Sequence, residues 1–192
     1  RLRWITKPAL MPVLGLRLRA ADASSVRSVT AAGVAMCRIG DLALLDDSDP
    51  AFIVGLGVFL AGHACYATAF AKTGGLAGLK RRPSAAIPAA ALMAVGASAI
   101  LPRAGALKIP VAGYIGVIST MAALAAGTGR RDAVVGAGLF ALSDLLLGLA
   151  KFRESPVSPG FTDAAVMALY TAGQAYIMRA LTGSRPGVGA GT

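Results

Sequence analysis

The chain has 192 residues, 56% of them hydrophobic and only 15% charged, with a formal net charge of +10 and a mean hydropathy of +0.67. That balance lies well beyond the apolar content of soluble domains and excludes a water-soluble globular protein. The basic residues sit between apolar runs rather than along an amphipathic face or beside stacking aromatics, which excludes nucleic acid as a partner and reads as membrane topology.

Seven apolar segments, at 4–16, 28–45, 51–71, 85–101, 109–127, 133–150 and 161–181, are separated by charged or Pro/Gly-containing breaks. They predict an all-α polytopic membrane helix bundle. The first is short and carries Lys7, Pro8 and Pro12, as expected of a broken or tilted span. Each of the others is close to the roughly 17 to 25 residues that cross a bilayer. Arg17, Arg19 and Arg27, then Lys72, Lys80, Arg81 and Arg82, then Arg130 and Arg131, and finally Arg179 and Arg185 occupy alternate connections and the tail. The opposite connections hold Asp46, Asp47 and Asp49, then Arg103 and Lys108, then Lys151, Arg153 and Glu154. By the positive-inside rule the first set is cytoplasmic, which puts the C-terminus inside a bacterial-type cell membrane. Residues 1–182 are expected as one transmembrane domain and 183–192, with Pro186 and four glycines, as a flexible tail. Cys37 and Cys65 fall within spans and lack any CxxC spacing, so neither a disulfide framework nor a metal site is expected.

Within these segments stand two carboxylates, Asp41 and Asp144. An Asp at the centre of a membrane helix costs roughly 2.5 to 3.5 kcal/mol on insertion scales, which Leu or Ala would avoid, so such residues mark buried polar sites. Counted inward from the predicted outer ends, Asp41 lies about 6 Å and Asp144 about 9 Å deep, at one common level. Lys7 and Tyr114 fall near the same depth. His63 and Gln174, the single His and the single Gln, sit deeper. His63 shares a helix face with Phe59, Tyr66 and Phe70, and Tyr170 shares one with Gln174 at i, i+4. The expected result is a cavity with carboxylates near one mouth and aromatic and polar groups further in. Blander readings pair Asp41 with Arg38, tie Asp144 to a Ser, Tyr or Gln of another helix, let Lys7 snorkel to head groups, and make Tyr114 and Tyr170 interfacial or packing residues.

The strings TKPALMP at 6–12, IGDLALL at 39–45, GVFLAGHACYATAF at 57–70, GAGLFALSDLLLGLAKF at 136–152 and YTAGQAYIM at 170–178 resemble, in order and spacing, the YhhN family of lysoplasmalogenases. The GD, GHxxY, SD and YxxxQ elements together carry the resemblance across most of the chain. It implies eight membrane helices, of which this chain is expected to lack the first. It also implies hydrolysis of the vinyl ether bond of a lysoplasmalogen to a fatty aldehyde and glycerophosphoethanolamine or glycerophosphocholine. Lys7, Asp41, His63, Tyr66, Asp144, Tyr170 and Gln174 are the polar residues within the matching motifs. The implied partners are the lysophospholipid substrate and membrane lipids.

A vinyl ether is opened by protonating its outer alkene carbon, which leaves an oxocarbenium ion on the ether carbon and requires a positioned acid but no metal or organic cofactor. Two carboxylates meet this need, one donating the proton and one stabilising the cation or activating water, as in glycosidases. Asp41 and Asp144 are the candidate pair, with Lys7 to hold phosphate and His63, Tyr66, Tyr170 and Gln174 to position substrate and water. Either aspartate fits the acid. Arg38, three residues before Asp41 on the same helix side, would make Asp144 the better candidate. The competing class is a proton- or cation-coupled transporter in which Asp41, Asp144 and His63 form a relay. Against it, no inverted repeat or matched pair of interrupted helices is visible.

Overall fold

The computed structural model describes residues 25–46, 48–152 and 159–183. The predicted segment at 4–16, with Lys7, and the tail at 184–192 lie outside the described residues. Among the described residues seven α-helices follow one another: α1 (Ser25–Ala43), α2 (Asp49–Lys72), α3 (Gly75–Arg81), α4 (Ile87–Ile100), α5 (Lys108–Gly127), α6 (Arg131–Phe152) and α7 (Pro159–Thr182). Short 3-10 turns flank α4, and no strand occurs among the described residues. The fold is the expected all-α bundle.

Among the described residues four helical stretches, Asp49–Lys72, Pro83–Arg103, Gly105–Gly127 and Arg131–Phe152, are long and apolar enough to cross a membrane. The helices over the other two predicted segments, α1 and α7, have 19 and 24 residues but carry Arg27, Arg38 and Asp41, and Asp163 and Arg179, which lower their hydropathy. The acidic connection before α2 is a cap. Asp46 Oδ1 accepts the Ser48 amide at 2.8 Å, and the Ser48 hydroxyl accepts the Ala51 amide at 3.4 Å, satisfying donors that a helix start leaves open.

The basic connection after α2, expected as a plain loop, holds α3. Gly74 (φ 101°) takes the left-handed conformation that turns the chain out of α2 at little cost for a residue without a Cβ. The glycines at 75 and 78 then bring α3 against α5, so close that a Cβ at Gly78 would overlap the Gly127 carbonyl.

Two helix pairs set the position of the polar residues. Between α6 and α7, a Cβ at Gly136 would come 2.7 Å from the Ile177 nitrogen and one at Gly173 2.8 Å from the Phe140 nitrogen. These backbones therefore touch, as small residues permit between membrane helices. Ser143 of the SD pair locks the contact by donating to the Val166 carbonyl at 2.9 Å. Between α1 and α2, a Cβ at Gly40 would lie 2.6 Å from the Phe59 ring. Gly40 of the GD pair thus makes room for an aromatic residue of α2 and brings Asp41 inward. The shared core includes Cys37, Phe59, Tyr66, Phe70, Met121 and Phe140. A smaller cluster of Ile100, Ala104, Val111 and Ile115 closes the other end of α4 and α5.

Candidate active site

The described residues of the sequence-predicted set fall into two adjoining polar groups, one around Asp144 and one around Asp41. On α6, Asp144 Oδ2 accepts a hydrogen bond from the Tyr114 hydroxyl of α5 at 2.7 Å. The same oxygen lies 3.2 Å from His63 Nε2 of α2. Nε2 makes no hydrogen bond among the described residues. On its other side His63 Nδ1 lies 2.7 Å from the Phe59 carbonyl, which can only accept, so Nδ1 carries a hydrogen. Nε2 is the ring nitrogen turned towards Asp144, and in the neutral ring it is an acceptor.

The second carboxylate has different surroundings. Asp41 Oδ2, 6% exposed as a residue, accepts the Tyr170 hydroxyl of α7 at 2.8 Å. The Tyr170 oxygen in turn accepts the Gln174 amide at 3.4 Å, one turn on in the same helix. Gln174 Oε1 accepts the Tyr66 hydroxyl of α2 at 2.6 Å. Tyr66, Gln174 and Tyr170 thus donate in sequence, and the chain ends on Asp41. Tyr66, Gln174 and His63 are fully buried, so each of these bonds replaces water that the interior excludes.

Phe140, one turn before Asp144 on α6, packs against both sets. Its ring centroid is 4.6 Å from that of His63, 5.1 Å from that of Tyr170 and 6.4 Å from that of Tyr66. Phe140 carries no polar group to mark it in the sequence, although its i, i+4 spacing from Asp144 is a usable signal. Tyr114, read there as an interfacial or packing residue, is a direct partner of Asp144; its matching depth was the better guide. The side chains of His63 and Gln174 reach Asp144 and Tyr170.

Two cavities meet at this system. One, about 260 Å³, is polar and is lined by Asp41, Asp46, Asp144, Lys151, Asp163 and Tyr170 among others. The other, about 70 Å³, is apolar and is lined by residues such as Leu92, Gly96, Ile118 and Leu145, with Tyr114 and Asp144 at its edge. Asp144, Phe52, Phe59, Leu44 and Leu147 line both. His63, Tyr66 and Gln174 line neither; they stand behind the carboxylates and Tyr170. Among the described residues no three His, Cys, Asp or Glu side chains converge as metal ligands.

Neither the curated proteins nor the solved structures contain a match to this chain. The model of the YhhN family matches residues 2–181, essentially the whole chain. On that match, and with an all-helical bundle rich in apolar helices, the chain belongs to the YhhN family.

Proposed function

We propose that the protein is a membrane-embedded lysoplasmalogenase, hydrolysing the vinyl ether bond of a lysoplasmenyl-ethanolamine or -choline. The observation that carries this reading is the position of Asp144 where a polar and an apolar cavity meet. The vinyl ether of a lysoplasmalogen has the same character, with a hydrocarbon chain on one side and a glycerophosphate head on the other. A substrate with its chain in the apolar cavity and its head in the polar one brings that bond to Asp144.

Asp144 is the acid in this account. Its neighbour His63 Nε2 is an acceptor at 3.2 Å, and a proton on Asp144 supplies the donor that this buried nitrogen lacks. Asp41 is the base, because its Oδ2 already ends a line of three donors. The Asp144 proton passes to the outer alkene carbon, the alkene electron pair forming the new C–H bond and leaving an oxocarbenium ion on the ether carbon. The two carboxylates stabilise that cation. Water adds to the ether carbon and gives a proton to Asp41, forming a hemiacetal. Asp41 then returns this proton to the glycerol oxygen as the C–O bond breaks. The hemiacetal hydroxyl proton restores Asp144, and a fatty aldehyde leaves.

A coupled transporter would use Asp41, Asp144 and His63 as one relay. The hydrogen bonds favour hydrolysis, since they divide these residues into two sets with Phe140 packed against both. Purified protein in detergent is expected to release fatty aldehyde from a lysoplasmalogen while sparing the 1-alkyl ether and 1-acyl ester analogues. No aldehyde from any vinyl ether lipid, together with pH-driven uptake by proteoliposomes, would replace this reading with transport.

A further inference from the structure

Among the described residues, Lys151 is the one cation lining the polar cavity, whose other charged lining residues are Asp41, Asp46, Asp144 and Asp163. Its position is fixed from two sides. The ammonium lies 2.8 Å from Asp49 at the start of α2 and 4.9 Å from the centroid of the Phe52 ring. Phe52 lines both cavities and meets Phe152 edge-on at 5.9 Å. The ammonium is therefore held beside the mouth shared by the two cavities. Asp49 engages one of its three N–H donors, leaving two for another acceptor.

Lys151 follows Asp144 by two helical turns, about 10 Å along α6 and on a similar face. In a lysophospholipid the phosphate is separated from the vinyl ether by the glycerol backbone, and the flexible four-carbon stem of lysine covers the remainder. Among the described lining residues, this ammonium is the charged group that attracts a phosphate.

We infer that Lys151 is the phosphate-anchoring residue of the substrate site, a role resting on the reading of the polar cavity as the seat of the lipid head. Lys151 has a plainer alternative use, as a clip between the ends of α2 and α6 through Asp49. Asp49 is 79% exposed at its side chain, so that clip contributes little to stability. The two uses predict opposite behaviour when Asp49 is neutralised. A clip is lost in Asp49→Asn as it is in Lys151→Gln, whereas an anchor is freed in Asp49→Asn.

The test is calorimetric binding, in detergent, of a non-cleavable 1-O-alkyl lysophosphatidylethanolamine and of the alkylglycerol with the same chain. It requires no turnover, so its failure is separate from failure of the hydrolase assay. Lys151→Gln is expected to weaken phospholipid binding about tenfold, which corresponds to about 1.4 kcal/mol, with a much smaller change for the alkylglycerol. Lys151→Arg is expected to restore phospholipid binding, and Asp49→Asn to leave it unchanged or tighter. Equal weakening of both ligands in Lys151→Gln, the same loss in Asp49→Asn, or a wild type that binds the phospholipid no better than the alkylglycerol would each overturn the assignment.

Discussion

Asp144 and Asp41 are the same residue type at a similar depth, and their neighbours separate them. Asp144 faces the Nε2 of a buried histidine at 3.2 Å; Asp41 receives a tyrosine hydroxyl at 2.8 Å. Replacing Asp41 by Asn keeps the shape and an oxygen for Tyr170 to donate to, so the protein should fold while losing its base. Turnover of a vinyl ether lysophospholipid is expected to fall about 100- to 10,000-fold with the melting temperature little changed, measured by aldehyde release and thermal unfolding in detergent; near-normal turnover would remove Asp41 from the mechanism. Tyr66→Phe should do the reverse. It strips Gln174 Oε1 of its donor in a fully buried site, which costs about 1 kcal/mol. A lower melting temperature with a modest loss of turnover is expected. At this scale the motifs read well, since GD, GHxxY, SD and YxxxQ contain Asp41, His63, Ser143 and Gln174, four of the six buried polar or charged residues among those described. Phe140 and the role of Tyr114 were harder to read, because periodicity tells which residues share a helix face but not which helix that face meets.

At the scale of the helix, the site depends on how closely α6 and α7 approach. Gly136 has no space for a side chain, whereas nothing lies within 4 Å of a Cβ at Gly138 on the same helix. Gly136→Val is therefore expected to destabilise the protein by about 1 to 3 kcal/mol through overpacking, and Gly138→Val to be neutral within about 0.5 kcal/mol. Detergent-phase melting of the two variants checks this, and equal effects would mean that the glycine contact does not hold the helices. The helices over six of the predicted segments stand close to where the apolar runs put them. The helix at 75–81 was not legible in the same way: a seven-residue helix in a basic connection has no apolar run, and its place is set by glycine contacts with α5. The two less apolar helices, α1 and α7, bring the GD and YxxxQ residues, so the charges that dilute their hydropathy include part of the candidate site itself.

Over the whole molecule, the arrangement joins a polar cavity to an apolar one at a single carboxylate. Chain selectivity should then depend on residues distant from the carboxylates. Gly96 of α4 lines the apolar cavity, and a Cβ there meets only Ile115 methyl and methylene carbons at 3.7 to 3.9 Å. Gly96→Leu should fill that space and shift kcat/KM towards shorter alkenyl chains, with each excluded methylene worth about 0.8 kcal/mol. An unchanged chain-length profile would place the chain elsewhere. Common depth brought the two aspartates together in the sequence reading, but the two cavities could not be read there, because their walls come from α1, α2, α4, α5, α6 and α7 together.

The most direct measurement of the central claim is hydrolysis of a lysoplasmalogen in deuterium oxide, with the aldehyde trapped at once and weighed by mass spectrometry, for the wild type and Asp144→Asn. Proton delivery by Asp144 predicts one deuterium on the carbon next to the aldehyde group in the wild-type product, and little aldehyde from the variant. Aldehyde without that deuterium, or labelled aldehyde released by Asp144→Asn at a near-normal rate, would contradict it.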